Sequence, residues 1–267
     1  MFVDQPGFAK SSRLAARIVD EIDNQDRLPQ LLVNLVEGLA ENSIGFAGGF
    51  GQSKILTTVH PEAARNRTFM DASTYSGGGY LLDPYYALYR AGRSGCFPLR
   101  DIAPEGFSET EYFRRFYTEM GVQDEIIHVA TMPGQGGALI GVVREAGTGN
   151  FSEEEVSRHQ AVFPFVAACA RRCSQLLLRN EEGSRVAPAS LDEALVDFGE
   201  GVLTPRESEV IGLVLYGHNT QSVAAQLEIT ADTVKLHRKH AYAKLRVSSQ
   251  GELFVKFLEH LGLEVSE

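Results

Sequence analysis

Residues 203–246 read LTPRESEVIGLVLYGHNTQSVAAQLEITADTVKLHRKHAYAKLR. Thr204 is placed to cap a helix that Pro205 opens at its first position, where a missing N–H costs nothing, and Glu207 stands at the third. Val210, Ile211, Val214 and Leu215 give this helix one apolar face, and Gly217 ends it. A second, short helix is expected over 220–227 with Val223, Ala224 and Leu227 inward. Glu228-Ile229 makes a tight corner, after which Thr230 caps a third helix over 231–245 with Val234, Ala241 and Leu245 inward. Two short helices joined by such a corner form a helix-turn-helix, whose second helix enters the major groove of duplex DNA.

The charges support that geometry. The stretch 191–267 holds 7 Lys and Arg against 12 Asp and Glu, so it is acidic overall. Yet Lys235, Arg238, Lys239, Lys244 and Arg246 fall on the third helix and its end, with Asp232 the one acid between Thr230 and Val247. A solvated face mixes signs; a segregated basic stripe is what phosphates and base edges require. The chain's net charge of −10 argues against a bulk nucleic-acid coat protein but leaves room for a local basic face.

The pieces Leu203-Thr204-Pro205-Arg206-Glu207, Gly217, Thr233-Val234-Lys235-Leu236-His237 and Lys244-Leu245 occur in the order and at the spacing of the LuxR-type helix-turn-helix, which this fifth of the chain resembles. The resemblance implies an all-α four-helix module that dimerises through its last helix, here 250–261. Leu253, Phe254, Phe257 and Leu258 would supply the contact or close the module's own core. It also implies base contacts from Lys235, Leu236 and Lys239, joined by Arg238 of the same stripe, and phosphate contacts around Thr220, Thr230, Thr233 and His237. Gln221 stands where family members usually carry Lys, which weakens the sequence-independent part of binding.

Outward from this module, 267 residues suggest about two domains. The expected division is a small-molecule sensor domain over 1–180, a linker over 181–198 centred on the Gly-, Ser- and Pro-bearing stretch 184–188, and the DNA-binding domain over 199–267. In the N-terminal part, helices are expected over 28–39, 83–90 and 108–120, the last opened by Ser108 with Glu111 three residues on. Strands are expected over 44–50, 54–60, 125–132 and 138–144, the last two flanking the turn sequence Pro133-Gly134-Gln135-Gly136-Gly137. Phe151-Ser152-Glu153-Glu154-Glu155 spells a staple residue, an N-cap and a Glu three later, opening a long helix with Val156, Phe163, Val166, Ala170, Cys173 and Leu177 on one face and Pro164 as an internal kink. The fold class is therefore α+β: an α-β-α layered sensor, an antiparallel sheet covered by helices, followed by the all-α module.

The N-terminal part is similar to the family's autoinducer-binding sensor, a GAF/PAS-like fold, on three features: Asp83-Pro84 after the aromatic stretch Tyr75–Tyr80, Gly121-Val122 with the strand pair after it, and the long helix that leads into the linker. The resemblance implies that Asp83 hydrogen-bonds a ligand; a purely structural role, capping the helix that Pro84 begins, is equally open. The chain has no Trp to line a lactone site, and Asp124-Glu125 stand where a second Gly is usual. The expected ligand residues are Asp83, Tyr75, Tyr86, Phe97 and Glu125, and the expected effector is a small metabolite with a cationic or hydrogen-bond-donating head rather than an acyl-homoserine lactone. Each aromatic is individually more often a core residue than a ligand wall.

No glycine-rich phosphate loop, nucleophile elbow or metal-ligand spacing is present, so neither catalysis nor a cofactor nor a metal is expected. Cys96, Cys169 and Cys173 read as buried thiols of a reducing compartment. The start lacks the pattern of a secretion signal and no apolar run spans a bilayer, so a cytoplasmic protein is expected. The expected partners are double-stranded operator DNA, a small-molecule effector, a second copy in a homodimer and, as a further candidate, RNA polymerase. The alternatives are a quorum-sensing receptor for an acyl-homoserine lactone and a protein-interaction regulator with weak DNA binding.

Overall fold

A computed structural model describes residues 6–24, 26–50, 55–59, 75, 78–132, 136–178 and 191–262. By spatial contact the chain divides into two compact units, one gathering 1–69, 88–101 and 121–185, the other 70–87, 102–120 and 186–267.

The first unit is built on an antiparallel sheet in the order β2-β1-β5-β4-β3, with β1 at Ile44–Phe50, β2 at Ile55–Val59, β3 at Gly95–Pro98, β4 at Val122–Met132 and β5 at Gly136–Glu145. The strands follow the expected spans within a few residues, with β3 an addition. Gly141 sits in the middle of β5 opposite Phe46 of β1 and Ile127 of β4. A methyl there would come within 2.7–2.8 Å of both side chains, so only Gly fits. Helices α1 (Pro6–Asp20), α2 (Leu28–Glu37) and α5 (Glu153–Leu178) accompany the sheet. Leu28, Leu31, Leu32, Leu35 and Val36 of α2 form one buried cluster with Ile126 and Ala130 of β4, Ala138, Ile140 and Val142 of β5, and Val156, Val166 and Ala170 of α5. The 3.6-residue and 2-residue periods meet there as the sequence predicted. Side chains of Cys173 and Leu177 lie outside the described residues, as do the linker stretch 184–188 and turn residues 133–135.

The start of α5 is pinned. Ser152 Oγ accepts from the Glu155 amide at 3.3 Å, and Glu155 accepts from the Ser152 amide at 2.9 Å, the reciprocal cap that the sequence spelled. Arg144 reaches the same carboxylate at 2.7 Å, donates to Asn150 O and Glu41 O, and lies 4.5 Å over the Phe151 ring. The helix runs unbroken through Pro164.

The second unit is helical: a 3₁₀ turn Gly79–Leu82, α3 (Pro84–Arg90, as far as residue 87), a 3₁₀ turn Phe107–Glu109, α4 (Glu111–Phe113) continuing into a π turn Arg114–Thr118, then α6 (Leu191–Gly199), α7 (Pro205–Tyr216), α8 (Thr220–Gln226), α9 (Ala231–Leu245) and α10 (Gln250–His260). Two expectations are corrected here. The cap at α4 is Thr110, whose hydroxyl accepts from Phe113 N at 3.0 Å, because Ser108 is taken up in the preceding 3₁₀ turn. And α6 falls in the stretch expected as linker, 181–198, of which residues 191–198 are helical.

Candidate functional site

The helices of the C-terminal module begin and end on the residues their sequence supplies. Thr204 and Glu207 form a reciprocal capping box, and Gly217 closes α7 at φ 100°, a left-handed conformation that suits Gly. Asn219 caps α8 by accepting from Ser222 N at 2.8 Å, and Thr230 caps α9 by accepting from Thr233 N at 3.2 Å. Between them Glu228 takes φ 54°, the tight corner that turns α9 across α8.

On α9 the buried set is Val234, Ala241 and Leu245, as expected from the pattern. The opposite side carries Lys235, Leu236 and Lys239, all exposed. Leu236 is 51% exposed, unusual for a large apolar side chain and suited to contact with a thymine methyl. Lys235 makes only an exposed pair with Asp232 at 3.1 Å, which contributes little and leaves its ammonium free to swing. Thr233, His237 and Arg238 are half-buried at the edges of this face, and the Thr230 and Thr233 hydroxyls lie 2.8 Å apart. Thr220 is half-buried and Gln221 exposed at the start of α8. Lys244 departs from the stripe: its Nζ donates to the buried Glu207 carboxylate at 2.6 Å, and this ammonium first, then the Thr204 amide, holds the Glu207 carboxyl down at about 2. Lys244 thus locks α9 to the first turn of α7.

The last helix does not present the expected contact face. Leu253, Phe254, Phe257 and Leu258 of α10 are all buried within the single chain, and Phe257 meets Phe198 of α6 edge-to-face at 5.5 Å. Of the two roles open to these residues, they fill the module's own core.

Asp83 is buried in the second unit among tyrosines. Tyr75 OH donates to its Oδ2 at 2.5 Å and the Tyr85 amide to its Oδ1 at 2.7 Å; Tyr86 N and the Tyr112 side chain also bond it. Burial is the largest influence and pushes the carboxyl above its usual range in spite of these donors. The Tyr85 bond, two residues on and beside Pro84, is the capping geometry, so Asp83 does cap α3. Tyr86 stands edge-to-face on Tyr80 at 4.7 Å, and Tyr75 on Phe116 at 5.8 Å. Asp83, Tyr75 and Tyr86 are therefore brought together.

Phe97 and Glu125 belong to the first unit, on β3 and β4. Arg93 lies 5.4 Å over the Phe97 ring, and Glu125 is buried. Asp124 is committed to structure: it accepts from Phe151 N at 2.8 Å and faces Arg100 at 3.5 Å. Arg100 in turn holds Glu153 at 2.7 Å, so its ion pairs run to Asp124 and Glu153.

Residue spacing gave no sign of a buried histidine pair in the same unit. His128 of β4 and His159 of α5, both 0% exposed, share one hydrogen bond of 3.0 Å. Burial lowers His128 to about 3 and His159 to about 4. Both rings are neutral at pH 7, and among the described residues His128 Nδ1 and His159 Nε2 have no hydrogen-bond partner. Cys96 and Cys169 are free and buried. Among the described residues no group of three His, Cys, Asp or Glu side chains is arranged to hold a metal, and no helix is long and apolar enough to cross a membrane.

Comparison with known proteins bears on both parts. Residues 201–257 match the family model described as bacterial regulatory proteins, luxR family. A protein of Aeromonas salmonicida described as an HTH-type transcriptional regulator in the exeN 3' region is 33% identical over 186 residues, 67% of this chain and 94% of that protein. The monoamine regulon transcriptional regulator of Klebsiella aerogenes is 35% identical over 103 residues, 39% of this chain and 37% of that one. Among solved structures, the VqsR LBD domain from Pseudomonas aeruginosa aligns with a TM-score of 0.50 and 22% identity, covering 64% of this chain and 99% of that one, a likeness of fold.

Proposed function

Because the chain belongs to the luxR family of bacterial regulatory proteins, a family of transcription regulators, we propose that it is a ligand-responsive, one-component regulator of the cytoplasm that binds operator DNA through α8 and α9. The observation that carries this is the face of α9, where Lys235, Leu236 and Lys239 stand exposed on a helix whose other side is locked into the module. Lys235, Leu236 and Lys239 are the base readers, with Arg238 beside them; Thr220, Thr230, Thr233 and His237 position the phosphates. The functional division runs along the chain, with a sensor over 1–180, a linker from 181 up to α6, and a DNA-binding domain whose core α6 joins. Two copies bind together, since one module covers too little DNA to be specific and paired half-sites are the usual remedy. The buried apolar face of α10 leaves other surfaces to join them, and RNA polymerase is a further partner.

Lys235→Ala and Lys239→Ala are each expected to weaken binding to a fragment of the chain's own promoter by about 1–3 kcal/mol and to relax base preference. Fluorescence anisotropy at several salt concentrations measures this. Unchanged affinity in both variants defeats the assignment.

The effector is a small metabolite with a cationic or hydrogen-bond-donating head, other than an acyl-homoserine lactone, held by Asp83 with Tyr75 and Tyr86. The support is the raised Asp83 carboxyl: a buried carboxylate short of countercharge gains from a cation or added donor, and tyrosine faces add a cation–π contribution of about 0.5–2 kcal/mol. In calorimetric titration an amine is expected to bind wild type, and Asp83→Asn to abolish that binding. Micromolar binding of an acyl-homoserine lactone with no response to any amine overturns the assignment.

A further inference from the structure

A groove of about 620 Å³ runs between α6 and α7 and reaches the end of α8. Leu195, Leu203, Leu213 and Leu227 make its lining apolar, and glycines keep its walls close. A methyl on Gly212 would come within 2.7 Å of Leu195 Cδ1, and one on Gly199 within 2.8 Å of Ser208 Oγ. Both glycines let α6 lie tight against α7, so the groove is preformed in the single chain. The lining residues of α7 run from Pro205 to Tyr216, about 16 Å along the axis at 1.5 Å per residue. Over about three turns a guest helix presents one ridge of side chains at i, i+3 or i+4, and i+7.

Val196 of α6 stands in this groove 67% exposed, and Val202, between the lining residues Gly201 and Leu203, is 44% exposed. The buried side of α6 is already supplied by Ala194, Leu195 and Phe198, so the module's core does not account for these two valines. Exposed apolar side chains that adjoin an apolar groove mark a contact surface, where scattered single ones do not.

Charge selects the occupant. Residues 186–205 hold four acids and no Lys or Arg. Glu200 and Glu209 line the groove, and Asp197 stands exposed next to Val196. Arg206 at this edge is occupied, donating to Glu209 at 2.6 Å and to Leu227 O at 2.6 Å. A second copy docked here in a self-complementary pair would set these carboxylates against their own counterparts. Duplex DNA is repelled by the same acids. The chemistry that fits is an apolar ridge flanked by cations.

We propose that the α6–α7 groove is a docking site for an amphipathic helix of a protein partner, which lays an apolar ridge into the groove and sets Lys or Arg beside Asp197, Glu200 and Glu209. The lining comes from α6, α7, the loop between them and the end of α8, clear of Lys235, Leu236 and Lys239, so the site is independent of the DNA-binding function proposed above. Val196 and Val202 supply apolar area that is buried only in the complex, and the carboxylates set which helices are accepted.

The probe is a synthetic helical peptide of leucine and lysine with one apolar and one basic face, compared with its leucine–glutamate counterpart. Binding to the full-length protein is followed by fluorescence anisotropy. Wild type is expected to bind the basic peptide and not the acidic one. Val196→Ser should weaken binding about fivefold, and Glu200→Lys about two- to fivefold, since the rim is exposed. The control is Val19→Ser on α1, where the side chain is 58% exposed far from this groove in sequence; it should bind as wild type. Hydrogen exchange of amides 193–203 should slow with the basic peptide. Equal affinity of wild type and V196S, an equal loss in V19S, or equal binding of the acidic peptide overturns the proposal. So does sedimentation without peptide that gives a dimer for wild type and a monomer for V196S, because a second copy then fills the groove.

Discussion

Replacing Phe257 with alanine is expected to unfold the C-terminal helical module, at a cost of about 3–5 kcal/mol, rather than to separate a dimer. Phe257 is fully buried within one chain, with Leu253, Phe254 and Leu258 around it on α10 and the Phe198 ring against it. Truncation removes a ring's worth of apolar burial and leaves a cavity that α6 and α10, tied into the module, cannot close. Urea titration followed by circular dichroism measures it. The midpoint should fall by the same amount at low and high protein concentration. A loss that grows on dilution, in a variant whose monomer keeps its helical signal, would instead make this face intermolecular.

The second large effect is acid sensitivity centred on His128 and His159. Unfolded, each histidine takes up a proton near its ordinary value of 6.5; folded, burial holds the pair neutral down to about 4 and 3. Between those limits the unfolded state binds more protons, so stability must fall as pH falls, by about 1.4 kcal/mol per pH unit for each ring. Glu155 and Arg158 act on His159 with opposite signs and do not remove the effect. Asp83 works the other way, since a raised carboxyl gains stability on acidification. Denaturation curves at pH 7, 6 and 5 should show this slope, and His128→Gln or His159→Gln should each reduce it by roughly half. A flat profile over that range would place both protons elsewhere.

The capping residues show what was legible beforehand. Thr204, Thr230 and Ser152 sit where a hydroxyl precedes a helical pattern, and each accepts the amide three residues on. Ser108 carried the same local signal and lost to Thr110, because burying Phe107, Tyr112, Phe116 and Tyr117 together set the turn. Asp83 could be picked out as a residue that caps or grips a ligand, but the sequence could not distinguish the two: its bond to Tyr112 spans 29 positions and has no periodicity. The packing of Phe107 on Gly217 and the pairing of His128 with His159 are likewise contacts between distant segments. The basic stripe was visible as five cations, but the partner of Lys244 was not, because Glu207 lies 37 residues away.

The interleaving of the two units dictates an order of assembly. The chain leaves the sheet-bearing unit near residue 69, returns at 88, leaves again after 101 and returns at 121. The segments in between complete a structure whose remaining helices, α6 to α10, leave the ribosome later than they do. Until α7 and α8 emerge, Gly106 and Phe107 have nothing to pack against. Nascent chains must therefore carry an unfinished aromatic surface while residues 121–204 are made, an interval in which chaperones would be engaged. A sensor cut from this protein at the linker would keep that exposed surface permanently, and receptor chimeras joined there would need the residues on both sides of the Phe107–Gly217 contact to travel together.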